Sequence, residues 1–169
     1  MKSLILIISL MLGCLPMTAF AAYPVLPVAP EAQAALLESD SPQLARNKRL
    51  AYEFYRVMEA GRFHEMTSYM HPDFRNHDPR IGKGVEAFIS YVKAYLMTRG
   101  IEKPQPVKET LDGVLSIVAE RDLVIITFAT SHDNPLAPGE KYTTTWFDMF
   151  RIRDGLIVEY WNPDKIPDE

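Results

Sequence analysis

Apolar positions along this chain follow two periods, and the change of period divides it. Up to Gly100 they recur every three or four residues. Leu50, Phe54 and Val57, with Ala51, Tyr55 and Met58 beside them, mark one helical stripe. Ser41-Pro42 supplies its start, a hydroxyl cap followed by proline at the first helical position, and Gly61 its stop. Phe63, Met66 and Tyr69 or Met70 predict a second, short helix, which His71-Pro72-Asp73 breaks. Residues 74–77 read as a short extended piece before Asp78-Pro79 and a glycine-containing loop. Val85, Phe88, Ile89, Val92 and Leu96 then fit an amphipathic third helix closed by Gly100. After Pro104 and Pro106 the period falls to two. Residues 107–119 form a predicted strand with a bulge at Gly113, and residues 123–132 the next strand after a turn at Glu120-Arg121-Asp122.

The strongest local signal lies at residues 142–162, where β-branched and aromatic residues dominate and Asp154-Gly155 interrupts them. Asp-Gly between two such runs predicts a hairpin with a type I′ turn, because both central residues then need positive φ. A regular two-residue loop sets Arg153 opposite Leu156, Phe150 opposite Glu159 and Asp148 opposite Trp161. On that register Trp146, Asp148, Phe150 and Ile152 share a face with Ile157, Glu159 and Trp161. Asp148 is the odd member. A carboxylate among two tryptophans, a phenylalanine and two isoleucines is either paired, kept protonated, or there to do chemistry. Phe147, Met149, Val158 and Tyr160 project from the other face and leave an apolar patch, which makes a homodimer the expected assembly.

Helices followed by a four-stranded antiparallel meander, with no repeat and no βαβ alternation, define an α+β fold with helices against one face of a curved sheet. The domain is expected over residues 44–169. Residues 22–43 carry Pro24, Pro27, Pro30 and Pro42 and read as a linker or N-terminal strap, with room for one or two helical turns near Glu31. Residues 1–21 read as a signal peptide: Lys2, a short apolar run, and Ala19-Phe20-Ala21 as a small-x-small cleavage site. The run is shorter than the ~18 residues of a confident membrane span. A periplasmic or secreted protein is therefore expected. The competing reading is a lipoprotein lipidated at Cys14, since Leu12-Gly13-Cys14 resembles that signal, although apolar residues follow where a polar tether belongs.

Cys14 is the sole cysteine, so cleavage after Ala21 leaves a domain with no disulfide, no thiolate nucleophile and no thiolate ligand. Removing Lys2 takes the formal charge from −4 to −5, 17 Lys+Arg against 22 Asp+Glu. That balance points to neither nucleic acid nor an anionic membrane surface as partner. His64, His71 and His77 match no compact zinc spacing and no cysteine remains to help, so no metal is expected.

Four stretches together resemble a known family: residues 47–61; Phe74-Arg-Asn-His-Asp-Pro79 with Gly82 and Gly84; Ala119-Glu-Arg-Asp-Leu-Val124; and Phe147-Asp-Met-Phe-Arg-Ile-Arg-Asp-Gly155 with Ile157-Val-Glu-Tyr-Trp161. They are similar to the SnoaL-like branch of the NTF2-like superfamily, cone-shaped α+β barrels that include polyketide cyclases and ketosteroid isomerases. The resemblance spans about residues 47–164. It implies a single apolar pocket and a small hydrophobic, carbonyl-containing ligand. It also implies cofactor-free acid/base chemistry alpha to a carbonyl, by aldol-type cyclisation or double-bond isomerisation. The same superfold hosts plain binding modules, so a non-catalytic pocket for a hydrophobic molecule is the alternative. Two departures stand out. Glu159-Tyr160-Trp161-Asn162 lacks the histidine common at the family's ending, and His77-Asp78-Pro79 has an acid where many relatives have asparagine.

Asp148 falls where relatives carry an acid/base or a protonated oxyanion-hole Asp. Burial among apolar residues raises a carboxyl's pKa and suits either role. Asp78 matches the proton-shuttling Asp before proline in the isomerases, and Asp before Pro is also ordinary turn chemistry. His132 ends an apolar strand face as either a proton partner or a rim residue. His77 is expected at the cone mouth, lining the pocket. Tyr55 either offers a phenol to the ligand or is core. Trp146, Phe150 and Trp161 are expected as flat apolar walls.

Overall fold

The computed structural model describes residues 26–163, so the predicted leader, Cys14 and the cleavage site lie outside the described residues. Ser41 caps the first helix as expected: its Oγ accepts from the Leu44 amide at 3.5 Å, and Pro42 opens α1, Pro42–Glu59. Gly61, at φ 65°, lets the chain reverse into the short α2, Phe63–Met66, and a 3-10 turn at Thr67–Tyr69. Strand β1, Met70–Asn76, leads to α3, Gly84–Thr98. The meander follows as β2, Val114–Glu120; β3, Leu123–Asp133; β4, Lys141–Arg153; and β5, Leu156–Trp161.

The sheet has five strands, not four, in the order β1-β5-β4-β3-β2. The additional member is β1, which pairs parallel with β5. A strand joined to its neighbour by nearly the whole domain leaves no local signal in the sequence, because its partner is set by topology. The helices pack on one face, where Phe54, Phe88, Phe150, Ile126 and Ile157 are fully buried. Phe54 meets Phe150 edge-on at 5.8 Å, and Phe88 meets Tyr160 at 4.9 Å.

Two predicted features of the strands are corrected. Residues 107–113 are not strand; β2 begins only at Val114. The Leu111 amide and carbonyl are taken by the side chain of Gln33, at 3.0 and 2.8 Å, and Arg56 Nε bonds the Lys108 carbonyl at 2.5 Å. Groups satisfied in this way have no need of a ladder partner. Gln33 sits in a 3-10 segment, Pro30–Leu37, which lies across this loop, and its Oε1 also accepts from the Tyr52 hydroxyl at 2.7 Å.

The second correction concerns the hairpin register. Asp154 and Gly155 have φ of 52° and 74°, as a type I′ turn requires, and Arg153 pairs with Leu156. Beyond the turn Ile152 pairs with Ile157 but Arg151 with Glu159, leaving Val158 as an extra residue in β5. A bulge of one residue inverts the alternation beyond it. Phe150 therefore faces Tyr160, and Trp161 lies opposite Met149 on the outer face. Tyr160 and Val158, expected outside, are buried.

Candidate active site

Asp148 is 2% exposed, inward-facing on β4, with Ile126 as its cross-strand partner. Three elements bring donors to it. Tyr55, from α1, donates its hydroxyl to Oδ2 in a very short hydrogen bond. Tyr160, turned inward by the β5 bulge, donates to Oδ1 at 2.8 Å, and Trp146 Nε1, two residues along the same face of β4, donates to Oδ1 at 3.3 Å. Hydrogen bonds to a buried carboxylate offset its desolvation and favour its charged form.

The two phenols are held as neutral donors. Burial pushes the Tyr55 hydroxyl well above its ordinary value, and the negative charge of Asp148 adds to the effect. The same two causes, in the same order, raise Tyr160. Asn162 hydrogen-bonds the Tyr160 hydroxyl and also the carboxylate of Asp78, which links the turn after β1 to the buried cluster.

These groups stand at the inner end of a cavity of about 690 Å³ between the helices and the sheet. Phe88, Val92, Leu96, Ile101 and Phe128 supply apolar wall, and the exposed side chains Arg99, Lys108, Asp112 and His132 stand at its opening. A cavity of that size suits a small molecule bound mainly by apolar contact. Glu59, the last residue of α1 and one turn beyond Tyr55, also lines it. Burial raises the Glu59 carboxyl, Asp112 reinforces the shift, and Arg99 and Lys108 oppose it.

The structure thus brings Asp148, Tyr55 and Trp146 together. Phe150 lies behind them, 1% exposed, with its ring 6.3 Å from Tyr55 and 5.6 Å from Tyr160. His132 is at the rim, 3.2 Å from Thr130 Oγ1 and against the Tyr142 ring. It lies six residues along β3 from Ile126, about 20 Å of strand from Asp148's partner. Asp78 is buried in the turn after β1, outside the cavity lining, where its carboxylate accepts the Arg80 amide and guanidinium. The Arg80 hydrogen bonds hold Asp78 below the usual carboxylate range.

His77 and Trp161 are on the outer face. Their rings stack at 4.3 Å, and His77 Nε2 is 2.8 Å from Glu159 Oε2. Neither lines the cavity. Tyr160, which the sequence placed on the outer face, Asn162 and Glu59 were not among the site residues expected from the sequence. Only Glu59 had a usable signal, its i+4 spacing from Tyr55, since the other two depend on the bulge. Among the described residues no three His, Cys, Asp or Glu side chains converge as a metal site would need.

Helices packed on one face of a five-stranded curved sheet give a mixed α+β architecture consistent with the NTF2-like fold. The family model described as a SnoaL-like domain matches residues 51–160, more than half of the chain, and the chain belongs to that family. Among solved structures it is similar to Bal32a from a soil-derived mobile gene cassette, at 18% identity over 69% of this chain and 87% of that one, TM-score 0.50. TsrD from Streptomyces laurentii shares 21% identity over 74% and 90%, TM-score 0.47. A candidate polyketide cyclase from Xanthomonas campestris pv. campestris shares 19% over 69% and 88%, TM-score 0.46. At 18% identity the likeness to Bal32a speaks for the fold alone. No curated protein sequence matches the chain.

Proposed function

We propose that this SnoaL-like domain is a cofactor-independent acid/base enzyme acting alpha to a carbonyl, by aldol-type cyclisation or double-bond isomerisation of a small apolar molecule. The observation that carries this reading is one carboxylate, Asp148, joined to two neutral phenols, Tyr55 and Tyr160, at the inner end of an apolar cavity. A ligand's carbonyl oxygen directed at this end replaces the carboxylate as acceptor for one phenol. When the adjacent carbon loses a proton, charge develops on that oxygen. Neutral donors already aimed at it, in a cavity from which the bound ligand displaces water, stabilise the enolate without reorganising. Asp148 sets the donors' positions and, when it takes up a proton, becomes a donor itself.

A second reading has its own support. Both Asp148 oxygens already accept hydrogen bonds from the protein, an arrangement that also serves a binding module for a hydrophobic ligand. Exchange of α-protons in a panel of ketones and ketosteroids, followed by NMR in D₂O, separates the two. Asp148→Asn is expected to keep the fold and ligand affinity while lowering exchange by about 10²-fold or more. Binding without exchange by the wild type favours the module. Export is part of the same proposal, resting on the leader-like residues 1–21.

A further inference from the structure

An enolate mechanism needs a base beside the oxyanion donors, and neither partner expected from the sequence is placed for that role. Asp78 is neutralised by Arg80 away from the cavity, and His132 stands at its rim. Glu59 is placed differently. It lies on the cavity wall one turn from Tyr55, a rise of about 6 Å along α1. The Glu59 charge acts on the Tyr55 hydroxyl, so a ligand whose oxygen meets the phenols has its neighbouring carbons on the side of the cavity that Glu59 lines. Among the described residues no hydrogen bond and no ion pair ties down its carboxylate, although the charges of Asp112, Arg99 and Lys108 act on it. It also occupies the C-terminal residue of α1, where the helix macrodipole disfavours a negative charge. Stability alone gives no reason for an unpaired, half-buried acid at that position.

We propose that Glu59 is the catalytic base of this pocket, an inference that rests on the carbonyl chemistry argued above. Its carboxylate takes the proton from the carbon alpha to the ligand's carbonyl. The C–H electron pair becomes the enolate double bond, and the carbonyl oxygen takes the negative charge under Tyr55 and Tyr160. In an isomerisation the Glu59 carboxylic acid returns the proton to the γ-carbon. In an aldol closure the enolate carbon attacks a second carbonyl of the same ligand, and the proton goes to the new alkoxide. Neither route needs another reactant. Desolvation that lifts Glu59 above an ordinary glutamate also makes it a stronger base near neutral pH.

The test is Glu59→Gln in the ketone exchange assay, with a pH profile and a thermal melt. Gln removes a half-buried charge, so the melting temperature should equal or exceed that of the wild type. Exchange should fall by about 10²-fold or more, and the acid limb of the wild-type profile should vanish with it. Glu59→Asp, which keeps the carboxylate but shortens its reach, should restore part of the rate and serves if Glu59→Gln fails to fold. Wild-type exchange with Glu59→Gln close to it and the acid limb unchanged overturns the assignment while leaving the carbonyl chemistry standing. No exchange by the wild type overturns both.

Discussion

Removing the acceptor at the centre of the buried cluster should expose what that cluster contributes to stability. In Asp148→Leu, the Tyr55 and Tyr160 hydroxyls and the Trp146 indole N–H lose their common acceptor. A buried donor left unsatisfied costs about 1–3 kcal/mol. Three of them set an upper range of roughly 3–9 kcal/mol. Two effects reduce it. The carboxylate no longer has to be desolvated, which is worth several kcal/mol, and both phenols border a cavity that can admit water. The expected net loss is roughly 2–5 kcal/mol, which overlaps the ~3–5 kcal/mol found when one partner of a buried charged pair is removed. The triple variant Tyr55→Phe, Asp148→Leu, Tyr160→Phe removes the acceptor and two of its three donors, leaving only the Trp146 N–H unsatisfied, and should recover most of that loss, because replacing both sides of a buried polar contact is close to neutral. Urea unfolding followed by tryptophan fluorescence measures all three proteins. A single variant as stable as the wild type, or a triple variant no better than the single one, would refute the account of Asp148 as a satisfied buried acceptor.

Alkaline unfolding should be steep. Tyr55 and Tyr160 stay protonated in the fold while their unfolded counterparts ionise near pH 10, so the stability they contribute is complete below that pH and is lost progressively as pH rises above it toward their raised folded values. Two such groups give a slope of about −2.7 kcal/mol per pH unit, and Tyr160→Phe should remove about half of it in denaturant titrations at pH 10–12. At the acid end Asp78, held low by Arg80, should lose its contribution as pH falls below the ordinary carboxylate range, and Arg80→Ala should flatten that loss. Self-association is proposed to use a row on the outer sheet face, Val118, Ile125, Met149 and Trp161, which the strand registers set side by side. Met149→Lys should then shift sedimentation toward the monomer, and a wild type monomeric at high concentration sinks the idea. Mass spectrometry of exported protein should find Ala22 at the N-terminus; a lipidated Cys14 or an intact Met1 contradicts the cleavage reading.

What the sequence determined by itself was local. Capping at Ser41-Pro42, helical spacing in α1 and α3, and the positive φ demanded of Asp154-Gly155 each depend on residues within a few positions of one another. The inward face of β4 was equally legible, because alternation alone sets Trp146, Asp148 and Phe150 on one side and Asp148 is the polar exception there. Tertiary structure decided everything one step further out. The extra residue at Val158 has no marker in its own side chain, yet it exchanged Tyr160 for Trp161 and so chose a hydrogen-bond donor over an apolar wall as Asp148's neighbour. The parallel pairing of β1 with β5 carried His77 out to Trp161, away from the cavity, while Asp78 is held outside it by a contact within its own turn, to Arg80 two residues on. Glu59 acquired its surroundings only when the loop before β2 and the end of α3 folded over the C-terminus of α1. Periodicity is a property of the chain. Which buried groups meet depends on register and topology, set by contacts between residues far apart in sequence, and a pattern read along the chain cannot contain them.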